Sequence, residues 1–333
     1  FLLNIAIIVI FWISSKMINV GTLQVGQLVA FIEYLFHAMF SIMLFSMVFV
    51  MYPKAQVSAN RIMEVLNTEP IIKSPKNGIK DTENKGTIEF ENVSFTYPNG
   101  EEPVIKDVSF SGKKGEVIAF IGSTGSGKST LINLIPRFYD VTKGSIKIDG
   151  VDVRDYDLKY LRKKIGFIPQ KTLLFTGSIA NNIKFGKKDA EYKEVEDSAK
   201  IAQAYEFISN KPNKFDEIIT EGGSNVSGGQ KQRLSIARAI VRKPDIYIFD
   251  DSFSALDFKT DAAVRKALNE KTSHSTMLIV AQRISTIMGA NQIIVLDEGK
   301  IVGKGTHKEL LENCEVYKQI ALSQLSKEEL SNE

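Results

Sequence analysis

The octapeptide Gly122-Ser123-Thr124-Gly125-Ser126-Gly127-Lys128-Ser129 has the residue types and spacing of a phosphate-binding loop. Its glycines let the backbone bend so that successive N–H groups point inward at phosphate oxygens. The helix expected from Ser129 to about residue 137 offers its positive N-terminus to the same group. Lys128 is placed to reach the β/γ-phosphates of a nucleoside triphosphate and Ser129 to reach Mg²⁺, with Thr130 next in the nucleotide-binding segment. A strand-like run over residues 116–121 precedes the loop, so a chance glycine-rich turn is a poor account of it.

Two further segments supply what such a loop needs. The apolar run Ile246-Tyr247-Ile248-Phe249 ends in Asp250, and a buried strand that delivers a carboxylate to the loop holds the water shell of the metal. Taken alone it is also an ordinary strand-to-turn transition. Between the two lies Asn225-Val226-Ser227-Gly228-Gly229-Gln230, a small-residue turn that opens a helix of good formers over residues 231–239. This is a second phosphate-binding helix N-terminus on one chain. One triphosphate does not need two such ends from one molecule, which leaves the second for another molecule's nucleotide.

With these three segments in order, the chain resembles the ATP-binding cassette (ABC) family, specifically the exporter type that carries membrane and nucleotide domains on one polypeptide. The resemblance covers nearly all 333 residues. It implies an adenine-stacking role for Tyr97 in Phe95-Thr96-Tyr97-Pro98, which without the family is a strand-edge aromatic beside a turn. It implies contact of Gln170 with Mg²⁺ and the attacking water, and a membrane-domain contact for Thr220-Glu221-Gly222-Gly223. Ser254-Ala255-Leu256-Asp257 resembles the loop that crosses the dimer interface. In this family two nucleotide domains sandwich two ATP molecules head to tail. Each ATP lies between one partner's phosphate-binding loop and the other's signature segment, here Ser227, Gly228, Gly229 and Gln230.

Two positions depart from the family pattern. Asp251 follows Asp250 where a catalytic glutamate is expected, and Gln282 stands where the family has a histidine that contacts the γ-phosphate. Asp251 is one methylene shorter, so on an unchanged backbone its carboxylate stops about an ångström short of the water, whereas a base must come within roughly 3 Å. Gln282 hydrogen-bonds but carries neither proton nor positive charge. The three histidines, His37, His274 and His307, lie elsewhere and read as structural or surface residues. The signature segment is intact, although Val226 replaces the usual leucine. By resemblance, an impaired hydrolytic set beside a good signature segment implies one half of a heterodimeric exporter, whose partner supplies the consensus glutamate and histidine. The alternatives are a homodimeric exporter with slow turnover and a non-transport ABC ATPase.

Residues 1–12 are almost wholly apolar, and residues 28–52 suffice to cross a hydrocarbon core of roughly 30 Å. Glu33 and His37 interrupt this run at i, i+4 spacing, on one face where they can pair, either beside a transport path or near the interface. The apolar run begins at Phe1, so the chain reads as an excerpt that holds the last two of the six spans of an exporter half. As such it is expected to bind ATP but not to transport. Residues 19–27 fall outside and Lys54 and Arg61 inside, which places the nucleotide domain in the cytosol of a multi-pass cell-membrane protein.

The fold class that follows is an α-helical transmembrane segment ahead of a P-loop NTPase α/β nucleotide-binding domain with a helical subdomain. Residues 1–66 form membrane helices and their extension, 67–85 a linker, 86–325 the cassette and 326–333 a charged, disordered tail. Helices are expected over 192–208 and 307–324, strands over 88–90, 93–95, 104–110, 276–280 and 292–296, and a hairpin turn after 145–148. A net charge of +3 is too small to argue for nucleic acid, and the single cysteine, Cys314, excludes an intrachain disulfide. No residue pattern names the transported substrate.

Overall fold

The computed structural model describes residues 1–83 and 85–324. They form two compact units, Phe1–Ile71 and a second that begins at Ile72. The expected disordered tail over 326–333 lies outside the described residues.

The first unit consists of two helices, Leu2–Asn19 and Val25–Leu66. Gly21 turns the chain between them at φ +77°, and Gln24 and Gln27 cap the second helix reciprocally. At 1.5 Å per residue, its 42 residues extend about 63 Å, roughly twice a hydrocarbon core. Beyond the apolar run it therefore continues through Pro53 into the polar stretch that the sequence assigns to its extension. Apolar windows in both helices have mean hydropathies of 1.8 and 1.9. Phe36, Phe40, Phe45 and Phe49 are exposed. Such surface suits lipid, because a helix satisfies its backbone internally and leaves only side chains facing the solvent. Glu33 and His37 share a face, and no hydrogen bond or ion pair joins their side chains among the described residues.

In the second unit a six-stranded sheet runs in the order Lys300–Gly305, Gln292–Asp297, Val117–Gly122, Thr276–Val280, Ile246–Asp250, Ile165–Ile168. All neighbours are parallel except the first pair. Its central strands are buried on both faces, which explains their unbroken apolar sequences. Ala119, Ile121, Tyr247 and Phe249 face one core, shared with the helical subdomain around Ile183, Val195 and Leu234. The alternate residues Ile118, Phe120, Ile246 and Ile248 face the other. That second core is closed by an antiparallel sheet ordered Ile105–Gly112, Ile88–Phe95, Lys143–Ile148, Val151–Asp152.

Three expected helices are shorter or divided. The helix after the phosphate-binding loop is Lys128–Leu134, and the chain then turns, with Arg137 at φ +54°. The 192–208 helix divides into Tyr192–Ile201 and Tyr205–Ser209, with Gln203 at φ +55° between them. The 307–324 helix breaks at Cys314, which is extended, into His307–Asn313 and Glu315–Gln324. The break lets the Tyr317 hydroxyl meet His307 Nδ1 at 2.7 Å in a buried contact, so His307 is structural.

One buried ion cluster joins the two sheets. Lys164 Nζ lies 2.8 Å from Asp149 Oδ2 and 2.9 Å from Asp245 Oδ2, with the Lys164 side chain 4% exposed and that of Asp149 0%. Burial alone would lower the ammonium pKa, but the two carboxylates more than offset it and hold it above the ordinary lysine range. This contribution to stability is full below the unfolded lysine pKa, about 10.4, and is lost as pH rises through the folded value. Replacing Lys164 with methionine leaves Asp149 buried without its cation. A loss of about 3–5 kcal/mol is expected in denaturant unfolding of the solubilised chain.

Candidate functional site

The parallel register brings the ends of three central strands together. Val280 pairs with Asp250 on one side and with Phe120, two residues before Gly122, on the other. Segments leaving the C-terminal edge of this sheet therefore converge, which is where open α/β sheets bind ligands.

At Gly122 the turn into the phosphate-binding loop requires the absence of a side chain, since a Cβ there would lie 2.0 Å from the Leu296 carbonyl oxygen. Gly127 caps the following helix in the left-handed region at φ +96°. Lys128 folds over the loop and donates to the carbonyls of Gly122 (2.8 Å) and Ser123 (2.7 Å). Burial pushes its pKa down, while Asp251 and Asp250 act in the opposite direction. The Ser129 hydroxyl donates to Asp250 Oδ1 at 2.8 Å. Asp250 is buried at the strand end, which raises its carboxyl pKa.

Asp251 is also buried and takes φ +47°, a turn conformation that aspartate tolerates better than most residues. Its N–H donates to the Val280 carbonyl at 3.0 Å. Its Oδ2 accepts from both departure and consensus glutamines, Gln282 Nε2 at 2.8 Å and Gln170 Nε2 at 3.0 Å. Burial raises the Asp251 pKa, and these amide donors partly counter that. Neither bond uses Oδ1. A cavity of about 240 Å³ is lined by Thr124, Gly125, Gly127, Lys128, Ser129, Thr130, Gln170, Asp251 and Gln282 among others. Six of the predicted loop and helix-start residues and both departures therefore share one chamber, whereas Gly122, Ser123, Ser126 and Asp250 do not line it.

Tyr97 is attached to this region through its hydroxyl, 3.0 Å from Thr130 Oγ1. Tyr139 meets the Tyr97 ring edge-on at 5.2 Å, a contact that no local motif signalled. The signature segment is different. Ser227 and Gln230 cap the Gly228–Ile240 helix reciprocally, with Ser227 Oγ accepting from Gln230 N and Gln230 Oε1 accepting from Ser227 N. A Cβ on Gly229 would lie 3.2 Å from the Ala255 carbonyl. None of residues 227–230 lines the chamber, so one chain does not bring its two phosphate-binding ends together.

The available donors suit Mg²⁺ with nucleotide. Ser129 and Asp250 offer oxygens 2.8 Å apart, and Gln170, which donates through Nε2, keeps Oε1 uncommitted. The described residues contain no group of three or more His, Cys, Asp or Glu side chains able to hold a metal ion alone. That fits an ion that takes most of its ligands from phosphates and water.

A strand edge with phosphate donors on one side and a buried carboxylate pair opposite defines a P-loop ATPase. The ABC transporter family profile matches residues 105–254. The ABC transporter ATP-binding protein YfiB of Bacillus subtilis is 44% identical over 327 residues, 98% of this chain and 56% of that protein. The ATP-dependent lipid A-core flippase of Vibrio vulnificus is 38% identical over 95% of this chain and 54% of its own length. A bacterial Atm1-family ABC exporter solved with ATP bound superposes with a TM-score of 0.88 at 31% identity, over 98% of this chain and 57% of that one. Residues 105–254 form an ABC-transporter ATPase domain, and the chain, N-terminal apolar helices followed by a P-loop ATPase fold with a helical subdomain, matches the architecture of ABC exporters. It spans somewhat over half the length of the relatives it matches. One expectation is overturned: the Atm1-family exporter is a homodimer, so a heterodimer with a distinct partner that carries consensus glutamate and histidine is not the arrangement supported.

Sequence reading missed the residue that holds Gln282. Gln324, in the last helix, donates through Nε2 to the Gln282 carbonyl at 2.7 Å and accepts through Oε1 from Ile284 N at 2.9 Å. Gln232 of the signature helix likewise reaches the Pro169 carbonyl, next to Gln170, at 3.4 Å. If the Gln324 clamp positions Gln282, Gln324→Ala lowers kcat for ATP about two- to tenfold, the worth of a typical hydrogen bond. KM and the unfolding midpoint are expected to stay unchanged, as steady-state ATPase assays and denaturant titration would check.

Proposed function

We propose that this chain is the nucleotide-binding and membrane-helix portion of an ABC exporter half that pairs with a second copy of itself. ATP lies in the chamber of one copy and is covered by Ser227, Gly228, Gly229 and Gln230 of the other. The residues of the two ends support this reading: none of Ser227, Gly228, Gly229 and Gln230 lines the chamber of their own chain, and they cap a helix elsewhere. In the assembly the nucleotide domains are cytosolic and the two apolar helices belong to a multi-pass domain of the cell membrane.

Within the chamber, loop residues 122–127 direct backbone N–H groups at phosphates while Lys128 and Thr130 hold the same group. Tyr97 stacks on the base. Ser129, Asp250 and Gln170 hold Mg²⁺, which neutralises charge on the β- and γ-phosphates when bound. Asp251 accepts the proton of the attacking water through Oδ1, since Oδ2 is engaged by Gln170 and Gln282. Both sites of a homodimer then carry the short carboxylate and lack the histidine, so turnover is slow at both and the nucleotide resides long.

The observation that carries this reading is the convergence of Gln170 and Gln282 on one oxygen of Asp251 inside the phosphate-loop chamber. Asp251→Asn is expected to reduce ATP turnover about 10²–10⁴-fold with ATP affinity retained, and Asp251→Glu/Gln282→His to raise it above that of the native chain. Unchanged turnover in Asp251→Asn would remove Asp251 from the base role. Specific activity should also fall on dilution, and Ser227→Ala should abolish the part that concentration restores.

A further inference from the structure

A second cavity lies at the opposite, N-terminal edge of the same parallel strands. It measures about 400 Å³ and is bounded by Lys114 before the Val117–Gly122 strand, Pro244, Asp245 and Tyr247 at the start of the Ile246–Asp250 strand, and Lys271, Thr272, His274 and Ser275 before Thr276–Val280. That volume is within the range that encloses small organic ligands. The catalytic reading does not use this cavity, and none of its lining residues belongs to the phosphate-loop chamber.

Its wall combines an apolar floor with unsatisfied polar chemistry. Ile201, Ile240, Val241, Pro244 and the Tyr247 ring supply the apolar part. Tyr247 is 1% exposed, yet its hydroxyl forms no hydrogen bond with any described residue. Nor is that hydroxyl sealed within the core: among the described residues the only enclosed side-chain polar atom without a partner is Gln292 Oε1. A buried phenol with an unmet hydroxyl in a cavity wall is costly unless a ligand or water completes it.

The charges of the cavity also leave a remainder. Of its carboxylates, Glu194 is held by Lys187 and Lys243, and Asp245 by Lys164. Lys85, Lys114 and Lys271 are exposed at the cavity without a carboxylate in ion-pair range among the described residues, against only Asp197 unpaired. His274 lies beside them. The excess is cationic, at the rim of an apolar chamber in which the Tyr247 hydroxyl has no hydrogen-bond partner among the described residues.

We propose that this cavity binds a small amphipathic organic anion, with its flat apolar body on Tyr247 and Ile240, its polar substituent at the Tyr247 hydroxyl and its charge at Lys114 and Lys271. Occupancy is independent of ATP, since the two cavities open at opposite edges of the sheet.

The test is isothermal titration of 2-naphthoate into the full solubilised chain, with micelles alone as blank, with and without saturating ATP. Saturable binding is expected in both conditions. Tyr247→Phe, which removes only the hydroxyl, should weaken it about two- to tenfold, as the loss of one hydrogen bond does. The Lys114→Ala/Lys271→Ala variant, altered only at exposed positions, should weaken it at least tenfold and flatten its salt dependence. Three outcomes would overturn the proposal: no saturable binding at millimolar naphthoate, equal affinity in the native chain and both variants, or displacement by ATP. Displacement would place the probe in the phosphate-loop chamber. None of these outcomes bears on the Asp251 reading, which turnover alone decides.

Discussion

Asp250 and Asp251 bring two adjacent carboxylates to the end of a strand whose five residues are all buried. Desolvation opposes the charge on each, and the second opposes the first, so the surroundings must supply donors. Ser129 meets Asp250, Gln170 and Gln282 meet Asp251, and Lys128 lies near enough to favour charge on both. These donors come from three segments spread over more than 150 residues of the chain, from Lys128 to Gln282. The phosphate-binding loop, the Gln170 segment and the Gln282 segment therefore have to leave the sheet at one edge, and the parallel register ensures that they do.

The two departures from the family pattern fit each other in this arrangement. A shorter carboxylate at Asp251 is met by an amide at Gln282, 2.8 Å away, and a second amide from Gln170 reaches the same oxygen. An amide donates without a proton to exchange, so it orients the carboxylate and leaves the proton balance of the chamber unchanged. Aligned against the family one at a time, the two residues look like separate losses. In space they are one contact.

Local chemistry was legible in the sequence wherever a function needs contiguous residues. The phosphate-binding loop, the strand into Asp250 and the capped helix at Ser227 each announce themselves within a dozen residues, and each element lies where its pattern indicates. Contacts between distant segments left no such mark. Gln324 clamps the Gln282 backbone across 42 positions, and Tyr139 meets Tyr97 across two strands and a helix. Helix ends were misjudged for a related reason. Glu315 to Gln324 are good helix formers that continue the periodicity of His307 to Asn313, but burial of Tyr317 and its contact with His307 are better served by a turn at Cys314 than by one straight rod. The heterodimer expectation came from reading Asp251 and Gln282 as defects, an inference about a partner that residues of one chain do not contain.

The turn at Cys314 has a practical side. The chain's single thiol is 5% exposed, with its sulfur against the Val302 carbonyl and so close to Gly303 that a Cβ on that glycine would lie 2.6 Å from it. A thiol enclosed in this way is poorly reached by an alkylating reagent. A spectroscopic label attached through a cysteine introduced on the surface, beside the chamber or along the long helix, would thus report from that position against a silent native background, with no need to remove the residue on which the last two helices turn.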